Sequence, residues 1–237
     1  MPTALLVSHG QPSDPEIGER EIASLAIRVA AQTRGIDVIG VTLAMPGRLE
    51  VVSANAPPDT VVLPMFMADG WFTQVQLPKR LGGVPLKILP PYGCHPKLAG
   101  FAAGWLGDVV ARSGWNAETT NLIVVGHGSG RSKRPADVTH AFAAHVQNIA
   151  QMRSLRVGFV EEDPCLKEVL AGLDYRAICL PFFAARRGHV LEDLPEAIAE
   201  AHFTGMVLPP IGLHPCTPGF IALMLDDATA TQTRAAS

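Results

Sequence analysis

With 237 residues, 48% of them hydrophobic, the chain is long enough to bury two cores of ordinary domain size. A formal net charge of −3 argues against a general nucleic-acid binder. Four cysteines (Cys94, Cys165, Cys179, Cys216) without C-x-x-C spacing give neither a zinc knuckle nor a secreted disulfide framework, and no apolar run reaches the ~18 residues of a membrane span. Thr3 to Ser8 reads as a strand rather than a targeting segment, so a soluble cytoplasmic protein is expected.

In chain order, strands are expected near Ala4–Val7, Val38–Leu43, Thr60–Phe66 and Leu86–Leu89, with helices between them. The polar stretch Ala111–Thr120 reads as a linker. Beyond it, Asn121–Val125 reads as a buried strand and Pro135–Gln151 as a helix whose apolar face includes Ala136, Phe142, Ala143 and Val146. A strand at Leu155–Val160, a short helix at Pro164–Leu173, a strand at Ala177–Phe183 and a helix near Val190–His202 follow. Met206–Leu208 is expected as a last strand and Pro215–Asp227 as a closing helix, with a frayed tail after it. Val-, Ile- and Leu-rich strands alternating with helices imply parallel sheets covered on both faces. Right-handed crossovers then gather the strand C-termini at one edge, where ligands of such sheets bind.

The chain contains itself twice. Leu5-Leu6-Val7-Ser8-His9-Gly10 returns as Ile123-Val124-Val125-Gly126-His127-Gly128, and Val62-Leu63-Pro64-Met65-Phe66 as Cys179-Leu180-Pro181-Phe182-Phe183. Leu89-Pro90-Pro91-Tyr92-Gly93-Cys94-His95-Pro96 returns as Leu208-Pro209-Pro210-Ile211-Gly212-Leu213-His214-Pro215. The offset stays between 117 and 119 residues, as expected of two fused like units, 1–113 and 119–230.

Three polar residues of the second copy fall at the ligand edge: His127 after the first strand, Glu161 after the second, and His189 after the third. Two imidazoles and a carboxylate suit a divalent first-row metal and also proton uptake near neutral pH. The first copy keeps His9, but by the opening offset Leu43 stands opposite Glu161. Aligning the prolines puts Phe72 opposite His189 and Gln76 opposite Asp193. A residue needed only for folding would be expected in both copies. Each residue also has a plainer reading: a strand-end histidine caps a turn, an acidic Glu161-Glu162-Asp163 run is a solvated loop, and His189 lies on the surface. His95 and His214, present in both copies, read as structural.

Arg131, Lys133 and Arg134 follow His127, and Arg186 and Arg187 precede His189, which suits a polyanionic small molecule. Gly126-His127-Gly128-Ser129-Gly130 is not a nucleophile elbow, because the serine is not central. Its glycines could instead cradle an anion with backbone N–H groups. No P-loop or G-x-G-x-x-G motif is present.

The ordered set Val125–Ser129, Gly158-Phe159-Val160-Glu161 leading to Pro164, Pro181-Phe182-Phe183 with Gly188-His189, Asp193-Leu194-Pro195 and Pro210–Pro215 resembles the class II chelatases of the CbiX/sirohydrochlorin chelatase family, in their long, internally duplicated form. The resemblance implies two tandem chelatase-like α/β domains, flavodoxin-type with doubly wound parallel sheets. It implies ATP-independent insertion of Co²⁺ or Fe²⁺ into sirohydrochlorin, for cobalamin or siroheme, with Ni²⁺ also acceptable to such ligands. His127, Glu161 and His189 would hold the metal and take the pyrrole protons. Ser129 and the five cations would face the substrate carboxylates, Trp71 and Phe72 would offer flat apolar surface to the macrocycle, and His9 would be a vestige. The fusion would make a monomer sufficient, with no nucleic-acid or membrane partner. The competing readings are a non-catalytic tetrapyrrole or metal carrier and a hydrolase using Ser129.

Overall fold

The computed structural model describes residues 2–185 and 192–235. The first repeat comprises β1 (Thr3–Ser8), α1 (Pro15–Ala30), β2 (Asp37–Thr42), α2 (Arg48–Ala54), β3 (Val61–Pro64), a π-helical turn (Phe72–Gln76) running into α3 (Leu77–Arg80), β4 (Lys87–Ile88) and α4 (Leu98–Arg112). The second comprises β5 (Asn121–Gly126), α5 (Arg134–Ala150), β6 (Ser154–Phe159), α6 (Leu166–Leu170), β7 (Ala177–Pro181), α7 (Asp193–Glu200), β8 (Met206–Val207) and α8 (Thr217–Ala235). The two four-stranded sheets have the orders β2-β1-β3-β4 and β6-β5-β7-β8, and every pairing is parallel. This is the duplicated, doubly wound α/β architecture expected from the sequence.

The central strands are buried along almost their whole length, as strands covered on both faces must be. In the first sheet Leu5, Val7, Val41 and Val62 pack with Leu49, Leu77 and Leu81. In the second, Ile123, Val125 and Cys179 pack with Leu166, Leu170, Leu194 and Phe203. Each such side chain contributes about 1.5–3 kcal/mol on burial. Burial also pushes the Cys179 thiol up to about 12, which leaves it an inert core residue.

Helix boundaries follow local chemistry. Asp14 accepts the Ile17 N–H at 3.4 Å and Pro15 occupies the first turn of α1. On α5, Thr139, Phe142, Ala143 and Val146 are buried at helical spacing. Helix α6 is shorter than expected because the Arg156 guanidinium takes the carbonyls of Val169 (3.0 Å) and Ala171 (2.9 Å), and Ala171 is already extended. The expected frayed tail is instead helical, with α8 continuing to Ala235. The expected helix at Val190–His202 is observed from Asp193, Val190 and Leu191 lying outside the described residues.

The compact units are cut differently from the repeats. One is Met1–Tyr92 with Pro215–Ser237 and the other is Gly93–His214. Helix α4 packs on α5, and α8 packs on α1. In the first unit Phe220 of α8 meets the buried Tyr92 ring edge-on at 6.1 Å. Each repeat's last helix therefore completes the unit built around the other repeat's sheet.

The two Gly-x-His-Pro turns launch these helices. The Lys97 N–H reaches His95 Nδ1 at 3.3 Å at the start of α4. His214 lies against Trp105 (4.4 Å, tilted) and edge-on to Phe101 (5.3 Å), both on α4. Burial lowers the His214 pKa below the ordinary imidazole value, with Asp108 opposing and Arg112 assisting. The folded state thus favours neutral His214. Its contribution to stability is present above the unfolded pKa of about 6.5 and is lost as pH falls through the lower folded value. Denaturant unfolding across this range should show wild type losing more stability on acidification than His214→Leu, and parallel pH profiles would contradict this role.

Candidate active site

His127 and Glu161 come together through the backbone. Strand β5 pairs with β6 up to Gly126↔Phe159, and two further ladder bonds follow: Val160 N–H to Gly126 O (3.3 Å) and Glu161 N–H to His127 O (3.0 Å). The last of these sets the two side chains side by side at the C-terminal sheet edge. His127 Nδ1 lies 3.6 Å from Glu161 Oε2 and 3.2 Å from the Gly128 carbonyl. A carbonyl only accepts, so Nδ1 carries the proton and Nε2 the lone pair a metal needs. Both side chains are close to half-exposed, 46% and 44%, so the pair is reachable and adds little stability of its own.

Two glycines make this edge possible. A Cβ on Gly126 would lie 2.6 Å from Thr139 Oγ1, so glycine lets α5 approach the end of β5. Gly128 has φ +72°, and a Cβ there would lie 2.8 Å from Glu162 Oε1.

The glycine-rich loop does not offer all its amides to an outside anion. The Ser129 N–H donates to Glu162 Oε1 at 3.0 Å, so part of the expected cradle is filled by the chain's own carboxylate. Ser129 Oγ accepts the Arg131 N–H (3.2 Å), and Ser132 Oγ accepts that of Arg134 (3.3 Å). The serine hydroxyl predicted to face substrate is thus bonded within its own loop. Arg131, Lys133 and Arg134 are exposed at the N-terminus of α5. Cations are unfavourable at a helix N-terminus, so the positive charge of these three side chains adds to that of the helix end.

His189, Arg186 and Arg187 lie outside the described residues. Among the described residues no group of three or more His, Cys, Asp or Glu is placed to hold a metal ion, so His127 and Glu161 are two of the predicted donors.

A family model described as CbiX matches residues 121–224. A solved structure of CbiX, titled as the terminal enzyme for biosynthesis of siroheme in denitrifying bacteria, is 41% identical with a TM-score of 0.86, covering 95% of this chain and 99% of that one. The chain belongs to the CbiX family. A "probable sirohydrochlorin cobaltochelatase" of Halobacterium salinarum is 22% identical over 225 residues, 83% of this chain and 76% of the relative. SirB from Bacillus subtilis, solved with Fe³⁺, shares the fold at 15% identity and a TM-score of 0.75, over 98% of this chain and 97% of that one.

The other repeat of this CbiX-family chain has the same edge with different side chains. Leu43 N–H bonds Ser8 O and Ala44 N–H bonds His9 O, each at 2.9 Å. The structural counterpart of Glu161 is therefore Ala44, not Leu43. The opening offset of 118 is one residue too long here, because the β1–β2 pairing Ser8↔Thr42 matches Gly126↔Phe159. His9 keeps its Nδ1 bond to Gly10 O (2.7 Å). Its ring meets Phe72 edge-on at 4.3 Å and Phe66 at 6.5 Å. Phe72, aligned with His189, thus covers the imidazole with hydrocarbon, while Trp71 packs on Phe72 at 5.0 Å and stays exposed.

Gly10 (φ +68°) and Gly128 (φ +72°) hold the same left-handed turn after their histidines. Alanine at either position should cost about 1–3 kcal/mol, because each is strained and crowded. Urea-denaturation midpoints of the two variants should fall together, and a cost at only one would break the structural equivalence.

Proposed function

We propose that this CbiX-family chain inserts a divalent metal, cobalt or ferrous iron, into sirohydrochlorin in cobalamin or siroheme biosynthesis. The observation that carries the reading is the His127–Glu161 pair at the strand edge of a chain 41% identical to CbiX. Insertion puts one M²⁺ into the macrocycle and releases two pyrrole protons. His127 Nε2 and the Glu161 carboxylate hold the incoming metal, with His189 as third donor. As the metal passes to the pyrrole nitrogens, the vacated imidazoles accept the protons, and Glu161 offsets the resulting charge. Ni²⁺ suits the same donors, and affinity order does not choose among the three metals.

Arg131, Lys133 and Arg134, with Arg186 and Arg187, bind the carboxylates of the tetrapyrrole, and Ser129 orders the loop that carries the first three. The exposed Trp71 ring and its neighbour Phe72 offer flat apolar surface to the macrocycle. The reaction uses no nucleotide. No nucleic-acid or membrane partner is involved, and among the described residues no helix is long and apolar enough to cross a membrane. The duplicated chain works as a cytoplasmic monomer.

The deciding experiment follows loss of free sirohydrochlorin absorbance with Co²⁺, Fe²⁺ and Ni²⁺. His127→Ala, Glu161→Gln and His189→Ala should each slow insertion by at least ~10²-fold, since each removes a ligand or proton acceptor. His9→Ala should cost far less, and equal losses at His9 and His127 would defeat the one-site reading. Tetrapyrrole binding without turnover in any metal would identify a carrier instead.

Neutralising Arg186 and Arg187 together should raise KM and leave kcat nearly unchanged, because the carboxylates are charged before and after insertion. The effect should shrink as salt rises past physiological strength, where the screening length is ~8 Å. A salt-independent KM would contradict an electrostatic clamp.

A further inference from the structure

Glu161 and Glu162 are adjacent carboxylates with different tasks. Glu161 stands beside His127 Nδ1. Glu162 accepts the Ser129 N–H at 3.0 Å and packs against the Gly128 Cα, where an added Cβ would lie 2.8 Å from its Oε1 and 2.9 Å from its Cγ. The His127 backbone is therefore fixed from two sides: by the ladder bond from Glu161 N–H to its carbonyl, and by a charged acceptor two residues later.

The first repeat separates what this strut does from what the turn needs. Gly10 adopts the same conformation as Gly128, and His9 makes the same Nδ1 bond to the following carbonyl. Yet the residue after Ala44 is Met45, which has no carboxylate, and its N–H bonds Thr42 Oγ1 at 3.1 Å. The turn thus forms without a Glu162 counterpart. The repeat that lacks the carboxylate beside its histidine also lacks the strut.

Resting on the chelatase reading above, we propose that Glu162 is a positioning residue. It holds the Gly128–Ser129 turn, and through it the His127 imidazole, in the orientation that metal transfer requires. It touches neither metal nor tetrapyrrole.

The test compares Glu162→Met, the residue the first repeat carries here, with Glu162→Gln, which keeps an oxygen acceptor. Two readouts are taken on the full chain: Co²⁺ insertion into sirohydrochlorin, and NMR of the Ser129 amide and the His127 ring without metal. Glu162→Met should lower kcat about 10–100-fold, the usual effect of removing a group that orients a ligand, with KM for sirohydrochlorin little changed. The Ser129 amide should shift and exchange faster with solvent, and the His127 ring signals should move. Glu162→Gln should restore kcat to within about threefold of wild type, because its carbonyl accepts the same hydrogen bond. Unchanged kcat and His127 signals in Glu162→Met would overturn the proposal. So would a Glu162→Gln variant with a wild-type Ser129 amide but the full loss of kcat, which would make Glu162 a direct ligand. If Glu162→Met does not fold, Glu162→Gln decides alone by the same criterion. If wild type inserts no metal, the chelatase reading fails, and the NMR comparison still decides whether Glu162 orients His127.

Discussion

The site depends on one backbone hydrogen bond, from Glu161 N–H to the His127 carbonyl at 3.0 Å. It extends the β5–β6 ladder past the last paired residues, so the sheet itself sets an imidazole beside a carboxylate. Long side chains placed by loops alone would lose conformational freedom to hold such a geometry. Here that cost is met by a sheet whose strands are already ordered by burial. The bond survives only if both chains run straight to the edge. Gly126 permits this by leaving room for Thr139 on α5, and Gly128 then turns the chain away.

The electrostatics of the edge divide by element. Glu161 and Glu162 lie on the segment after β6, and the exposed Arg131, Lys133 and Arg134 lie on the loop entering α5. A metal ion and a polycarboxylate carry opposite charges, so a protein that handles both benefits from separate acidic and basic elements. The cations gain no favourable term from the helix they precede, since its N-terminal dipole repels them. Of the two adjacent acids, Glu162 accepts a backbone amide and Glu161 faces an imidazole.

The two repeats and their parallel sheets were legible in the sequence, because strands buried on both faces read as short Val, Ile and Leu runs and because the repeat supplied two matching copies. His127 and Glu161 were legible as residues at strand ends. The register of the first repeat was not. Offsets of 117 to 119 leave one residue of ambiguity, and only the Ser8↔Thr42 pairing assigns Ala44 opposite His9. The division of labour between Glu161 and Glu162 was hidden because adjacent identical side chains carry no sign of which faces the loop. The placement of α4 and α8 was hidden as well. Repeat similarity records local structure, whereas the choice of which sheet a terminal helix completes is made by long-range packing such as Phe220 on Tyr92. The tail after Asp227 looked too polar to hold, yet it continues a helix already anchored by buried Ile221, Met224 and Leu225.

The first repeat also explains why a histidine alone is weak evidence of chemistry. His9 and His127 share a strand end, a left-handed glycine and an Nδ1 bond to the next carbonyl. That shared bond gives both histidines a structural role at the turn. What differs is the surroundings. His127 has a carboxylate at 3.6 Å, whereas His9 has the edge contact of Phe72 at 4.3 Å. An aromatic ring in that position offers neither a hydrogen-bond acceptor for Nδ1 nor a donor atom for a metal. The carboxylate is therefore what distinguishes the two strand edges. The histidine is the part of the site that the fold would hold in either repeat.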